Sequence, residues 1–143
     1  MSQMRRELLH CQVGDAAIQL NGELNGELTS ALNSDAATVR QRYCLPADFV
    51  GFSGHFPGHP IVPAVVQVFM AQLVAEQHFA ISLPISGVER AKFHRQLKPL
   101  DVIDVQCQRK EIRGKAIIDA QLFVADDLVA SFWLFSDSNG TKG

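Results

Sequence analysis

Between Pro63 and Ala80 the chain sets Val65, Val66, Val68, Phe69, Met70, Ala71, Leu73, Val74 and Ala75 with hardly a polar residue among them. Wound as a helix, this stretch has almost no polar face over its first three turns, so other structure must wrap it. It is not a membrane span. The longest apolar run, 62–71, is interrupted by Pro63 and Gln67 and falls well short of the ~20 residues a span requires. The reading is a buried helix from Pro63 to about Ala80, with Pro63 at the first helical position, where its fixed φ is pre-set. Glu76-Gln77-His78 is expected to emerge into water.

Four strand-like runs come after the helix. Val88 to Leu97 is charged and is expected to edge the site. Val102 to Arg109 alternates Ile103, Val105 and Cys107 against Asp104, Gln106 and Gln108. Ala116 to Val124 sets Ile118, Ala120, Leu122 and Val124 on one face. Leu128 to Phe135 is more continuously apolar, which predicts a more central strand. Arg113-Gly114 and Asp126-Asp127 separate these runs as short hairpin turns. Upstream, Thr38 to Leu45 alternates Val39, Gln41 and Tyr43 against Thr38, Arg40, Arg42 and Cys44, and stops at Pro46. Residues 1–34 are the least legible. Gly14 to Leu20 suits a strand, and the Asn-Gly pairs at Asn21 and Asn25 predict a hairpin; the Leu-Asn-Gly-Glu-Leu echo there is too short for an architectural repeat. One helix and then a run of antiparallel strands is an α+β pattern, with a curved sheet around the helix. The 143 residues suit a single domain, 1–143, with a polar tail at 137–143 expected to fray.

The segment before the helix, Phe52-Ser-Gly-His-Phe-Pro-Gly-His-Pro-Ile-Val-Pro63, packs glycines and prolines around one His-Phe pair. Prolines fix φ and glycines admit positive φ, so the segment is a rigid, non-repetitive loop suited to holding one imidazole, that of His55. On its own, such a loop reads first as a structural turn in which His55 satisfies a carbonyl.

Gly54-His55-Phe56-Pro57-Gly58-His59-Pro60-Ile61-Val62-Pro63 resembles the signature of the hot-dog-fold hydroxyacyl-acyl-carrier-protein dehydratases. Gly87 to Asp101, with its alternating Lys/Arg and Phe and its Pro99-Leu100-Asp101 turn, is similar to a second stretch of that family. The likeness covers roughly Ala36 to Ser136, and Val65-Val66-Gln67 echoes a dehydratase-like subgroup with Val-x-Gln at the helix start. The resemblance implies a hot-dog fold with His55 as catalytic base and a thioester oxygen held near the Ala64 N–H. Phe56, Pro63, Ala64, Val65 and Phe69 would line the substrate. It also implies an acyl thioester on acyl carrier protein or coenzyme A, a homodimer or higher homo-oligomer, and no cofactor or metal.

One position departs from the family pattern. Members carry Glu or Asp fourteen residues after the histidine, where this chain has Phe69. Glu76 shares nearly the same helix face but lies ~10 Å further along the axis. Gln72 is nearer, yet an amide does not transfer protons at neutral pH. The family's usual glycine after the proline is Ala64 here. Three functions therefore stay open. The first is a hydro-lyase on 3-hydroxyacyl thioesters in fatty acid or related acyl-chain synthesis, with its acid lost or rearranged. The second is a non-catalytic acyl- or carrier-protein-binding partner. The third is a thioesterase using Asp48 or Glu76.

A net charge of −2 argues against a nucleic-acid surface. Arg90, Lys92, Arg95 and Lys98 fall in one strand-like run, and Arg109, Lys110, Arg113 and Lys115 surround a turn. Such clusters suit either a solvated sheet face or a dock for an acidic carrier protein. Cys11, Cys44 and Cys107 show no metal or redox spacing, which predicts a cytoplasmic chain with free thiols. Met4-Arg5-Arg6 is basic, but Glu7-Leu8-Leu9-His10-Cys11-Gln12 is too polar and too short for the apolar core of a signal segment. His55 and His59 lack partners for a metal set; His10, His78 and His94 are expected to be ordinary surface or helix residues.

Overall fold

The computed structural model describes residues 2–20, 37–49, 61–79 and 86–135. The elements are α1 (Ser2–His10), β1 (Gln12–Leu20), β2 (Ala37–Cys44), α2 (Ala64–Phe79), β3 (Gly87–Phe93), β4 (Val102–Ile112), β5 (Lys115–Val124) and β6 (Asp127–Phe135). One antiparallel six-stranded sheet runs in the order β1-β2-β4-β5-β6-β3, and α2 packs on one face of it.

Alternation decides which side chains meet the helix. Val39 and Tyr43 of β2, Ile103, Val105 and Cys107 of β4, Ala120 and Leu122 of β5 and Phe132 and Leu134 of β6 are essentially sealed from solvent. They pack against Val66, Met70, Ala71, Val74 and Ala75 of α2 in one hydrophobic cluster. The Cys107 thiol donates to the Ala71 carbonyl at 3.5 Å, so the free cysteine behaves as a small core residue.

The wrapping of α2 is less complete than its composition suggests. Val65 is 54% exposed, and Val68, Phe69 and Gln72 are only partly covered. One sheet can cover only one side of a cylinder, and on the opposite face of the first two turns Ala64 and Val65 are exposed. At the other end, Glu76 and His78 do not emerge freely into water. The Glu76 carboxylate meets the Arg5 guanidinium at 2.8 Å, and His78 is half-buried. The cover comes from α1, which sequence patterning did not reveal. Nine residues with three charged side chains, Arg5, Arg6 and Glu7, carry only a weak helical signal, and Leu8, fully buried, anchors them to the core.

Several boundaries shift. Pro63 lies one residue before α2, as its cap: the Pro63 carbonyl accepts from the N–H groups of Val66 (3.0 Å) and Gln67 (3.2 Å). β3 ends at Phe93, so Arg95 and Lys98 lie beyond the strand that was expected to carry them. β6 is flanked on both sides but is next to last in the sheet; β4 and β5 are the central strands. The second hairpin turns at Ala125-Asp126 (φ 51° and 72°), one residue earlier than expected, while Arg113-Gly114 (φ 55° and 78°) turns as expected. Both pairs have positive φ at each position, the turn whose twist suits a two-residue hairpin. β1 begins at Gln12, slightly ahead of the predicted Gly14, and pairs with β2. The hairpin expected at Asn21 and Asn25 and the tail at 137–143 lie outside the described residues.

Both edge strands are bulged. In β1 the register slips between Val13 and Ala17, with Gly14 at φ +74°, and the buried Gln41 amide donates to the Gly14 carbonyl at 3.3 Å. In β3 it slips between Glu89 and Lys92, with Arg90 at φ 54°. Bulges of this kind blunt an edge against indiscriminate pairing.

Candidate functional site

Of the six residues singled out for a site, four are described. His55 and Phe56, like His59, lie outside the described residues. Pro63, Ala64, Val65 and Phe69 come together at the N-terminus of α2. Because intrahelical bonding starts at Val66, the N–H groups of Ala64 and Val65 precede the first helical bond. That end of a helix favours negative charge, which suits an oxygen that gains charge during reaction. Ala64 and Val65 are exposed, Pro63 is half-buried, and Phe69 lies one turn beyond Val65 with its inner side against the core.

The junction leading into the helix is tightly held. Val62 is buried, and its N–H donates to the Leu97 carbonyl at 2.7 Å. Its carbonyl accepts from Gln67 Nε2 at 3.1 Å. Gln67 is only 4% exposed, and its buried Oε1 has no hydrogen-bond partner among the described residues. Leaving a buried acceptor unmade costs about 1–3 kcal/mol, so the amide is kept in the apolar core at a cost. Gln67 thus links helix, junction and the 94–101 segment. Its position in the Val-x-Gln echo was visible in the sequence, but its structural part was not. One amide inside an apolar helix was the available signal.

Neither carboxylate named for the thioesterase reading stands ready, and Glu76 is no better placed to stand in for an acid at position 69. Glu76 is tied to Arg5, and Asp48 lies exposed in the turn after β2. At the far end of α2, Gln12 Nε2 donates to Gln77 Oε1 (2.7 Å) and to the Tyr43 hydroxyl (3.0 Å). Burial raises the Tyr43 pKa. It lowers that of His78, whose buried Nε2 has no partner among the described residues.

The basic residues are largely used within the chain. Arg90 stacks on Trp133 with its Cζ 4.8 Å from the ring centroid, and Lys115 Nζ lies 3.7 Å from that of Phe135. Lys110 pairs with Asp119 at 2.7 Å, Arg109 lies over Phe79, and Arg95 is 3.9 Å from Asp127. These contacts favour a solvated structural face over a surface held ready for an acidic partner. A groove of about 560 Å³ opens on the sheet face turned away from α2, between Arg40, Arg42, Asp104, Gln106 and Phe123. Asp104 is bonded there by Arg40, well away from the helix N-terminus. Among the described residues, no group of three or more His, Cys, Asp or Glu is placed to hold a metal ion, and no helix is long and apolar enough to cross a membrane.

Solved structures with the same architecture include the dehydratase heterocomplex ApeI:P from Xenorhabdus doucetiae. It aligns at TM-score 0.57 and 21% identity over 68% of this chain and 85% of that one. An uncharacterized protein from Erwinia carotovora aligns at 0.59 and 16% identity, over 87% and 93%. At these identities the likeness shows the hot-dog fold alone. Among curated proteins, the 3-hydroxyacyl-[acyl-carrier-protein] dehydratase FabZ of Natranaerobius thermophilus is 33% identical over 87 residues, covering 54% of this chain and 60% of that protein. FabZ of Syntrophotalea carbinolica is 32% identical over 96 residues, covering 57% and 65%. The chain thus spans about three fifths of the length of these relatives. The family model for ApeI-like dehydratases matches residues 31–131, from ahead of β2 into β6, with His55 and the whole of α2 inside. By that match the chain belongs to the ApeI-like dehydratase family of the hot-dog fold.

Proposed function

We propose that the protein acts on 3-hydroxyacyl thioesters as a dehydratase-like hot-dog protein of acyl-chain synthesis, the acyl group arriving on a carrier protein or coenzyme A. The observation that carries this reading is the family match over 31–131, which contains both the Gly54–Pro63 motif and α2. The N–H groups of Ala64 and Val65, which precede the first helical bond, support it. In this reading the His55 imidazole takes the proton from C2 of the acyl chain. The Ala64 N–H steadies the charge on the thioester oxygen, and the C3 hydroxyl leaves as water with a proton taken from solvent, giving the 2-enoyl thioester. Phe69 supplies no proton for that departure. General acid help is typically worth ~10²–10⁴-fold, so turnover without it is weak.

The half-open face of α2, with Val65 exposed and Phe69 partly covered, supports a two-fold dimer that buries this region. A second reading, a non-catalytic subunit paired with an active hot-dog chain, is favoured by Phe69 itself. The heterocomplex from Xenorhabdus doucetiae offers a precedent for unlike subunits. The test is product analysis with short and medium 3-hydroxyacyl thioesters. Wild type should give slow formation of enoyl thioester, His55→Ala none, and His59→Ala little change. Phe69→Glu should gain ~10²-fold or more. A folded, dimeric Phe69→Glu variant without gain on any such substrate would overturn the dehydratase reading in favour of the partner subunit.

A further inference from the structure

Two of the three cysteines, far apart in sequence, are brought side by side where β1 begins and β2 ends. Gln12 stands opposite Tyr43 in the β1–β2 ladder, so the next rung sets Cys11 against Cys44. The Cys44 N–H donates to the Cys11 carbonyl at 2.9 Å and closes that rung. The Cys11 N–H turns instead to the Leu8 carbonyl at 3.0 Å, at the end of α1. Opposite residues of an antiparallel pair carry their Cβ atoms about 4.5–5.5 Å apart on the same face. A disulfide needs about 3.5–4.5 Å between them, so a small closure suffices. Cys44 is half-buried and Cys11 is 7% exposed, whereas Cys107 is sealed in the core beneath Ala71.

We propose that Cys11 and Cys44 form a dithiol modification site that a low-molecular-weight disulfide oxidises to a cross-strand bond between the start of β1 and the end of β2. The more open Cys44, as thiolate, attacks glutathione disulfide to give a mixed disulfide and one glutathione thiolate. Cys11, after losing its proton, attacks the Cys44 sulfur and releases the second. Two protein thiols are oxidised and one small disulfide is reduced to two thiols. Burial, together with the smaller effect of the Glu7 charge, pushes Cys11 up to about 11, so the closing step is slow at neutral pH and speeds up as pH rises. The fixed opposition of the two sulfurs works against that slowness, because the attack is intramolecular. The bond would tie α1 and β1 to the point where β2 passes into Leu45, whose carbonyl holds the Leu100 N–H at 2.8 Å. It would thereby stiffen the turn at 45–49 that follows β2. The site is independent of the proposed catalytic activity.

The experiment is to incubate the native, reduced full chain with excess glutathione disulfide at several pH values and map unreduced peptides by mass spectrometry. The expected result is an intramolecular peptide pair joined through Cys11 and Cys44, with Cys107 still a thiol. The closing rate should rise about tenfold per pH unit below the Cys11 pKa. The melting temperature should rise by roughly 5–15 °C, reversed by dithiothreitol. A stable mixed disulfide at Cys44 with Cys11 still reduced would overturn the proposal. So would a crosslink that forms only in denaturant.

Discussion

Replacing Gly87 with alanine places a Cβ 2.3 Å from Cζ of Phe135 and 2.9 Å from both of its Cε atoms. Non-bonded carbons rest about 3.5–4.0 Å apart, so the ring or the strand must move by more than about 1 Å. Gly87 is the Cα partner of Phe135 in the β3–β6 ladder, and the neighbouring Ser86 N–H holds the Phe135 carbonyl at 2.9 Å. The backbone is therefore pinned, and the ring is what yields. As it swings out it uncovers apolar surface and leaves the Lys115 ammonium, a cation–π contact of about 0.5–1 kcal/mol at an exposed site. Overpacking typically costs about 1–3 kcal/mol, and because Phe135 is only half-buried the expected loss is about 1–2 kcal/mol. Urea unfolding of Gly87→Ala, Phe135→Ala and the double variant measures it. The double variant should be no less stable than Phe135→Ala alone, giving a coupling of about 1 kcal/mol or more. Additive losses, or a Gly87→Ala protein as stable as wild type, would show that the ring does not rest on this glycine.

His78 should make stability fall on acidification. Burial lowers its folded-state pKa, so the unfolded chain binds the proton more readily, and stability declines as pH drops below the ordinary histidine value of about 6.5. Unfolding curves of wild type and His78→Gln across that window should diverge toward low pH, and parallel curves would refute the assignment. At the β5–β6 turn, Ala125 sits at φ 51°, a conformation that asparagine tolerates better. Ala125→Asn should stabilise by about 0.5–1 kcal/mol in the same assay. Sedimentation at micromolar concentration should show a dimer, and Val65→Glu, at the exposed start of α2, should weaken it; a strictly monomeric wild type would remove the shared site.

The alternation of Val39, Gln41 and Tyr43, of Ile103, Val105 and Cys107, and of Ile118, Ala120 and Leu122 was enough to read three strands and their buried faces. A side-chain period of two is a local property of the chain. The apolar stretch after Pro63 identified α2 in the same way. Helix propensity and the drive to bury that stretch act within a few turns. The likeness around His55 and α2, and the phenylalanine at position 69 where the resemblance implies an acid, are likewise matters of residue order alone. What local pattern could not convey is which partner each element meets. Helix α1 became visible only because Leu8 and Arg5 find the core and Glu76 across the chain. The Gln67 link to Val62, the bond from Val62 to Leu97 and the rung that joins Cys11 to Cys44 depend on sheet register and on loops closing over long separations. The open face of α2 is decided in the same way. A helix apolar on every side demands cover, but only the curvature and reach of the sheet determine which side receives it within a single chain.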